Sequence, residues 1–568
     1  MMVIRRLGYP QVVPRACDLA TRAIAVVPRA LPVATAAQVA RRRRAGLVLA
    51  RRPGGWDAVT AGVLERADAV GLSAAPLAAV LWTAPAVAAA TPEVAVRRRL
   101  GPGRPFAVVL EDARPIGAVV RESATVGQLP RSVAEDLARL EPGTLDVLRT
   151  AGRLGTEAGE PVAAVGGFVR DLLLGRLAKA PRDLDLAVEG DGRRLARRLA
   201  AALGGSTREH AAFLTATVAL PDGRRVDVVT ARREQYRVAG ALPAVEPARL
   251  AEDSWRRDFS VNALAVRLDG AGWGAVEDPT GGLRDLGRGR IRVLHPLSFV
   301  EDPTRIFRAA RFAERLGFRL EPATRRLLAA AAPLPVYGAL SGDRLRAELV
   351  RVLEEPEPVR VLTALGRLGA FRLGWPAYRF PATAAARLAA VGRGLTALPL
   401  APSTRLGLAM LALGEALAPD AASTWAVRYG ATVPEREALA RARREGPELA
   451  RRLARAAGPG AAYAALREVP ELSAAWAWVL AGRPGPRRLI AEHLRQWRDL
   501  PALLDGDDLR DLGLAPGPRF GLILAGLRAA QVAGRVRTRA QAVAWVRRGG
   551  EAENGSAGGR SGRDGKGG

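Results

Sequence analysis

The stretch Asp183-Leu184-Asp185-Leu186-Ala187-Val188 alternates acidic and apolar residues before turning fully apolar, the pattern of a strand with one buried face. Asp183 and Asp185, two residues apart, then present their carboxylates on the same side. Two bare carboxylates so close repel unless a cation sits between them. A Mg²⁺ pair held there could activate an attacking hydroxyl and keep a triphosphate in line. Upstream, an apolar strand at Val162–Val165 runs into Gly166-Gly167, and a helix begins at once. Alone, a Gly-Gly pair reads as a tight turn. With the two aspartates behind it, it reads as a phosphate cradle: glycine lets backbone approach a ligand, and a helix start offers unpaired N–H groups. Arg170, in the first turn, would act as a charged clamp. A further strand, Arg225–Thr230, carries Asp227, which is either a third carboxylate of the site or a surface aspartate of a hairpin.

The composition narrows the chemistry. One cysteine, Cys17, excludes a disulfide framework and thiolate metal sites, and three scattered histidines (His210, His295, His493) argue against an imidazole-held metal. Any catalytic metal must be bound by oxygen, which points to Mg²⁺. The net charge of +29 calls for a polyanionic partner. Lys179 and Lys566 are the only lysines; codon bias explains that choice of arginine but not the excess of basic over acidic residues. No sustained apolar run follows Arg5 and Arg6. The uncharged stretch Ala69–Pro92 is alanine-rich and broken by Pro76, Pro85 and Pro92, so it reads as a connection, not a membrane span. A cytoplasmic protein with no membrane contact is expected.

Around the acidic strand the chain falls into segments. Residues 1–130 hold a degenerate pattern twice. Strand Leu31–Val33, helix Thr35–Arg44, strands Leu47–Ala50 and Asp57–Thr60 and a helix through Leu64 and Ala69 form the first copy. Helix Glu93–Leu100 and strands Phe106–Leu110 and Ile116–Val120 form the second. The β-turn-β ending in Gly117-Ala118-Val119 resembles a CBS domain, and two in tandem would make a CBS pair. The run Arg41–Arg44 reads as a solvated helix face. Residues 131–160 form a linker with a polar helix at Leu145–Leu154, 161–295 the segment with the chemistry, 296–400 a helical neck, 401–548 a helical body and tail. The helical reading rests on spacings such as Leu345, Leu349, Val352 and Leu353. Residues 549–568 are Gly/Ser/charged and expected to be disordered.

Five motifs in order resemble the class II tRNA nucleotidyltransferases and bacterial poly(A) polymerases over about Gly143–Glu355. They are the Gly-Gly-x-Val-Arg-Asp/Asp-x-Asp pair, then Arg256-Arg257-Asp258-Phe259-Ser260-Val261-Asn262-Ala263, and the hinge-like Asp278-Pro279-Thr280-Gly281-Gly282 to Ile291-Arg292. The helix Glu301–Phe312, with Glu-Asp-x-x-Arg at its head, and the weaker neck motif Leu340–Leu349, with Arg344 and Glu348, complete the set. The resemblance implies an α+β fold: a small mixed-sheet nucleotidyltransferase head, all-α neck, body and tail, here preceded by the CBS-like pair. It implies Mg²⁺-dependent addition of C, A or both from CTP and ATP to a tRNA 3′ end, with pyrophosphate released. The alternatives are a poly(A) polymerase and a non-catalytic, adenine-nucleotide-sensing RNA-binding regulator. By resemblance, Arg257 helps bind the nucleotide, Asp258 and Asn262 shape the ribose site, Arg256 backs them up, and Arg233–Asp253 is a mobile loop. Asp302 and Arg305 recognise the incoming base; as i and i+3 they would share one helix face. Arg308 and Arg311 continue along that side and would neutralise nucleotide and RNA. Some CBS-bearing members carry a DHH phosphoesterase domain ahead, whose Asp-His-His is absent from the first 30 residues, and some add only the terminal A. The CBS-like pair would offer an adenine-nucleotide site and a surface for oligomer formation.

Overall fold

The computed structural model describes residues 15–101, 104–121, 132–177, 181 and 183–549. The start of the chain, residues 102–103 and 122–130 of the CBS-like block, residue 131 at the head of the expected linker, residues 178–180, Arg182 of the acidic motif and the tail from residue 550 lie outside the described residues. The chain divides into two compact units, one of Met1–Glu348 with Glu355–Arg379, the other of Leu349–Glu354 with Phe380–Gly568. N-terminal block, head and most of the expected neck thus belong to one unit, and the division at Arg379 falls inside the segment read as neck.

The head is a seven-stranded mixed sheet. In spatial order its strands are Ser206–His210, Thr215–Ala219, Arg225–Thr230, Asp183–Val188, Val162–Val165, Ala265–Arg267 and Val276–Glu277. Asp183–Val188 is central, parallel to Arg225–Thr230 and antiparallel to Val162–Val165. Alternation decides its faces: Leu184, Leu186, Val226 and Val228 are buried, while Asp183, Asp185 and Asp227 are exposed on the other side. Helices Pro142–Ala158 and Gly192–Leu203 pack together and against the sheet. The first contains the stretch read as a linker helix. Its stripe of Val147, Leu148, Ala151 and Leu154 is buried, which makes it a layer of the head. Gly192 starts the second helix where a Cβ would come within 2.6 Å of the Thr230 backbone nitrogen.

The stretch that resembles the mobile loop carries a hairpin, Arg232–Gln235 paired with Ala244–Pro247, followed by helix Leu250–Trp255. Its Glu234 and Asp253 pair with Arg256 and Arg257 of the box that follows, while Arg233 pairs with Glu246 and Glu252 inside the stretch. The motif-bearing helix is also interrupted. Helices Ser298–Glu301 and Arg305–Leu316 are separated at Asp302-Pro303, with Asp302 extended at φ −129°, ψ 93°. Proline disfavours helical geometry in the residue before it.

In the N-terminal block each copy has a short strand parallel to the first strand of a hairpin. Ile24–Val26 pairs with Leu47–Arg52 and Ala86–Ala88 with Phe106–Glu111; the hairpins close through Gly55–Thr60 and Arg114–Val120. The first strand lies upstream of the expected Leu31–Val33. Pro28 and Pro32 bracket that segment, and Pro32 caps helix Val33–Arg42. The uncharged Ala69–Pro92 contributes Trp82–Ala84 to one sheet and Ala86–Ala88 to the other, with Pro85 between them. Among the described residues no helix is long and apolar enough to cross a membrane.

The second unit is helical from Ala382–Ala397 to Arg539–Arg547. Its longest helix, Val433–Ala454, begins with a capping box in which Thr432 and Glu435 each satisfy the other's backbone N–H.

Candidate active site

Parallel pairing sets Asp227 directly opposite Asp185, and Arg225 opposite Asp183. The two strands therefore place three carboxylates on one open face. Asp227 Oδ1 accepts a 2.5 Å hydrogen bond from Thr217 on the neighbouring strand away from Asp185, which fixes that oxygen. Asp227 thus stands exposed on the second strand of the hairpin Thr215–Ala219/Arg225–Thr230, and that strand is also in register with the one carrying Asp185. Asp185 keeps part of its surface in solvent, yet it sits on a cleft floor crowded by protein. Burial there pushes its carboxyl above the usual range; Arg257 pulls the other way, and the Asp227 and Asp183 charges add to the rise. The cleft, of about 400 Å³, is lined by Asp185, Asp227, Thr217, His210, Arg256 and Arg257 among others.

Gly166 lies at φ +73°, ψ −139°, backbone that favours glycine, at the start of helix Gly167–Leu173. A Cβ on it would stand 3.0 Å from Asp185 Oδ2 and 3.6 Å from Arg257 Nη1. The glycine thus lets an aspartate and an arginine close over the turn. Arg257 and its neighbour are held from below by Asp253, only 1% exposed: Oδ2 accepts from Arg257 Nη2 at 2.8 Å and Oδ1 from Arg256 Nε at 2.8 Å. Arg256 also donates to Glu234 at 3.1 Å.

Arg170 does not point into the cleft as a clamp. It is 3% exposed, its Nε and Nη2 donate to Asp171 at 2.8 and 2.9 Å, and its Nη1 donates to Asn262 Oδ1 at 2.8 Å. A guanidinium engaged on both edges positions its neighbours. Asn262 in turn donates to Asp258 Oδ1 at 3.1 Å, and Asp258 Oδ2 accepts from Arg308 Nε at 2.8 Å. Burial alone would raise the Asp258 carboxyl, but Arg308 and Asn262 outweigh it and hold it below the usual carboxylate range. The guanidinium carbons of Arg170, Arg308 and Arg311 lie 5.2, 5.4 and 5.2 Å from the Phe312 ring centre, with Phe259 edge-on to it. The Arg256 box and the helix Arg305–Leu316 are thereby one polar seam around an aromatic. Arg311 faces Glu348 and Glu355 at 4.0 and 3.6 Å, so it braces the neck.

Asp302 and Arg305 are not on one helix face, because the helix breaks between them, yet Asp302 Oδ2 lies 3.9 Å from Arg305 Nε. Asp302 Oδ1 caps Thr304 N at 3.1 Å and accepts from Arg344 Nη2 at 2.9 Å. Arg305 donates Nη1 to Ser298 at 2.7 Å and Nη2 to the Arg256 carbonyl at 2.7 Å. This leaves Asp302 Oδ2 and Arg305 Nε as an adjacent acceptor and donor, the complement of a Watson–Crick edge.

Sequence reasoning singled out neither Asp253, Glu234 nor Thr217, and gave Arg344 no role. Asp253 was detectable: it precedes Arg256 and Arg257 by three and four residues, the spacing that stacks side chains on a helix. Glu234 and Thr217 carried no local signal. Among the described residues no three carboxylate, imidazole or thiol groups converge tightly enough to form a complete metal site. Two oxygen donors beside a third carboxylate, with like-charge repulsion a cation would relieve, still fit a divalent ion whose other ligands come from substrate phosphates and water.

Residues 162–292 match the Poly A polymerase head domain model. The A-adding tRNA nucleotidyltransferase of Geobacter sulfurreducens is 37% identical over 70% of this chain, which spans only 46% of that relative's length. That of Halalkalibacterium halodurans is 30% identical over 71% of this chain and 92% of its own. The CC-adding tRNA nucleotidyltransferase of Deinococcus radiodurans is 37% identical over 66% of this chain and 86% of its own. Among solved structures, a CCA-adding enzyme in an apo form superposes with TM-score 0.65 at 29% identity, covering 74% of this chain and 100% of that one. The Thermotoga maritima CCA-adding enzyme complexed with tRNA gives 0.60 at 28% identity over 74% of this chain and 99% of that one. With motifs, head topology and near full-length relatives in agreement, the chain belongs to the tRNA nucleotidyltransferase family.

Proposed function

We propose that the protein transfers CMP, AMP or both from CTP and ATP to the 3′ hydroxyl of tRNA. The 3′ oxygen attacks the α-phosphorus, the new P–O bond forms, and the bond to pyrophosphate breaks. The observation that carries this is the register placing Asp183, Asp185 and Asp227 on one open face beside Gly166 and Arg257. Nucleotidyltransferases of this family use a divalent metal. Here Asp183 and Asp185 would hold it as Mg²⁺, which supplies charge neutralisation at the phosphates. Asp227, its Oδ1 engaged by Thr217, offers Oδ2 to take the proton of the 3′ hydroxyl. Arg257 faces the triphosphate across the Gly166-Gly167 turn, with Arg256 behind it. Asp258 and Asn262 shape the ribose site, held by Arg170 and Arg308. Asp302 Oδ2 accepts from the exocyclic amine that C and A carry, and Arg305 Nε donates to the adjacent ring nitrogen.

The arginine-rich helices beyond residue 400 would hold the tRNA, so affinity should fall steeply with salt, by a slope of about −0.9 per neutralised duplex phosphate. The repeated strand–helix–hairpin connectivity among the described residues of 15–121 supports a CBS-like pair, which would take an adenine nucleotide and offer a surface for self-association. A cytoplasmic location fits these substrates. The deciding experiment offers tRNA lacking its CCA end, with CTP and ATP singly and together. One to three added nucleotides support the reading. A long A tract makes the protein a poly(A) polymerase, and no incorporation makes it an RNA-binding regulator.

A further inference from the structure

The N-terminal block reaches the base-reading corner through specific hydrogen bonds. Arg66, on helix Ala61–Ala67 of the first repeat, donates Nη2 to Glu301 Oε1 at 2.8 Å. Glu301 is 9% exposed at its side chain, and Arg66 is 56% exposed. The other oxygen of Glu301 lies 3.6 Å from His295 Nε2, and burial lowers that imidazole to about 4, leaving it neutral near pH 7. Four residues after Arg66, the Val70 carbonyl accepts from Ala239 N at 3.3 Å. The next residue, Gly240, donates its N–H to the Glu301 carbonyl at 3.2 Å, while its own carbonyl accepts from Arg344 Nη1 at 2.5 Å. The other arm of Arg344 reaches Asp302. Residues 66–70 thus close a ring of hydrogen bonds through Ala239-Gly240, Arg344 and Glu301-Asp302.

We propose that Arg66 is a positioning residue for base selection: by holding Glu301, the N-terminal block sets where Asp302 and Arg305 present their acceptor and donor. The inference rests on the reading of Asp302 and Arg305 as the base-reading pair. Its physical content is that a buried carboxylate one residue from Asp302 has its cation supplied by another part of the chain. Removing that cation leaves Glu301 buried without its ion-pair partner, and it relaxes by shifting the short helix that ends in it. The same block also meets helix Pro322–Ala331, through Leu77–Val80 and through Thr83 with Arg326, and the Thr83–Arg326 hydrogen bond shares no atom with the ring. That contact serves as the control.

The test uses the full chain on one tRNA and measures single-nucleotide incorporation with all four triphosphates. Arg66→Glu should lower discrimination against UTP and GTP by roughly threefold to fivefold, a modest effect because a half-exposed ion pair couples weakly. KM for the accepted triphosphate should rise more than kcat falls. Arg66→Lys should restore selectivity, and Thr83→Val should leave it unchanged. Arg66→Gln removes the charge without adding repulsion and replaces Arg66→Glu if the latter does not fold. Wild-type selectivity in both the Glu and Gln variants overturns the proposal, as does an equal shift in Thr83→Val, which would reduce Arg66 to a docking contact. Asp302→Ala separates the two readings. Lost selectivity there with none lost at Arg66 sinks this inference alone, whereas selectivity retained in Asp302→Ala sinks the base-reading assignment beneath it.

Discussion

On the open face of the head sheet, Asp183, Asp185 and Asp227 stand together, with Arg257 and more weakly Arg308 drawing on Asp185. In the seam between the Arg256 box and helix Arg305–Leu316, charges are just as dense, but each meets a partner: Asp171 with Arg170, Asn262 with Asp258, Asp258 with Arg308, Asp253 with Arg256 and Arg257. One region keeps its repulsion and the other has dissipated it. A carboxylate group that takes a cation and a triphosphate, as proposed for this face, must stay under-compensated until they arrive. A seam that fixes ribose and base geometry, the role proposed for this one, must instead be complete beforehand, because a half-satisfied buried network neither holds its shape nor favours the folded state.

The sharpest way to break this contrast is Asp185→Asn. Incorporation should fall roughly 10³- to 10⁴-fold, about 4–5 kcal/mol of barrier, while the midpoint of thermal unfolding holds or rises because a like charge has gone. Single-turnover incorporation and calorimetry on the same preparation check both halves. A variant that loses stability along with activity would place Asp185 in the seam's class.

The seam should behave the opposite way. Asp258→Ala leaves Arg308 without its carboxylate and should cost about 2–4 kcal/mol of unfolding free energy, toward the lower end because the Arg308 side chain is 32% exposed. Adding Arg308→Leu should recover part of that loss in denaturant titrations. If the double variant is no better than the single, the loss is packing and not unpaired charge.

Asp302→Ala lies between the two regions in kind. It should weaken discrimination against UTP and GTP by about 1–3 kcal/mol while affecting maximal rate less, read from kcat/KM for each triphosphate. Uniform slowing with selectivity kept would make Asp302 a helix cap and no more.

The smallest expected effect is on pH dependence. Arg308 and Asn262 hold Asp258 below its unfolded value, so its contribution to stability is present above the unfolded carboxylate range and lost as pH falls through the folded value. Asp258→Asn should therefore flatten the acid limb of a stability–pH curve compared with the parent chain, with no difference between the two slopes near neutrality.

Chemistry and ordering of motifs were legible in the sequence because they depend on residue type and short spacing. The alternation Asp183-Leu184-Asp185 decides which side of a strand the carboxylates take, and Gly166-Gly167 marks where backbone must approach something closely. Helices with an apolar stripe were visible for the same reason. What tertiary structure alone decided involves long separations in the chain. That Asp227 faces Asp185 follows from parallel pairing of strands about forty residues apart, a register no local pattern specifies. That Arg170 donates to Asn262, 92 residues on, depends on how a short helix packs. The break at Asp302 was locally encoded by Pro303, but the proximity of Asp302 to Arg305 despite that break depends on Arg344 and Ser298 closing around them. Arg66 and Glu301 are 235 residues apart. Side-chain charges contribute little until burial removes water, and burial is a property of the assembled fold, which no single segment contains.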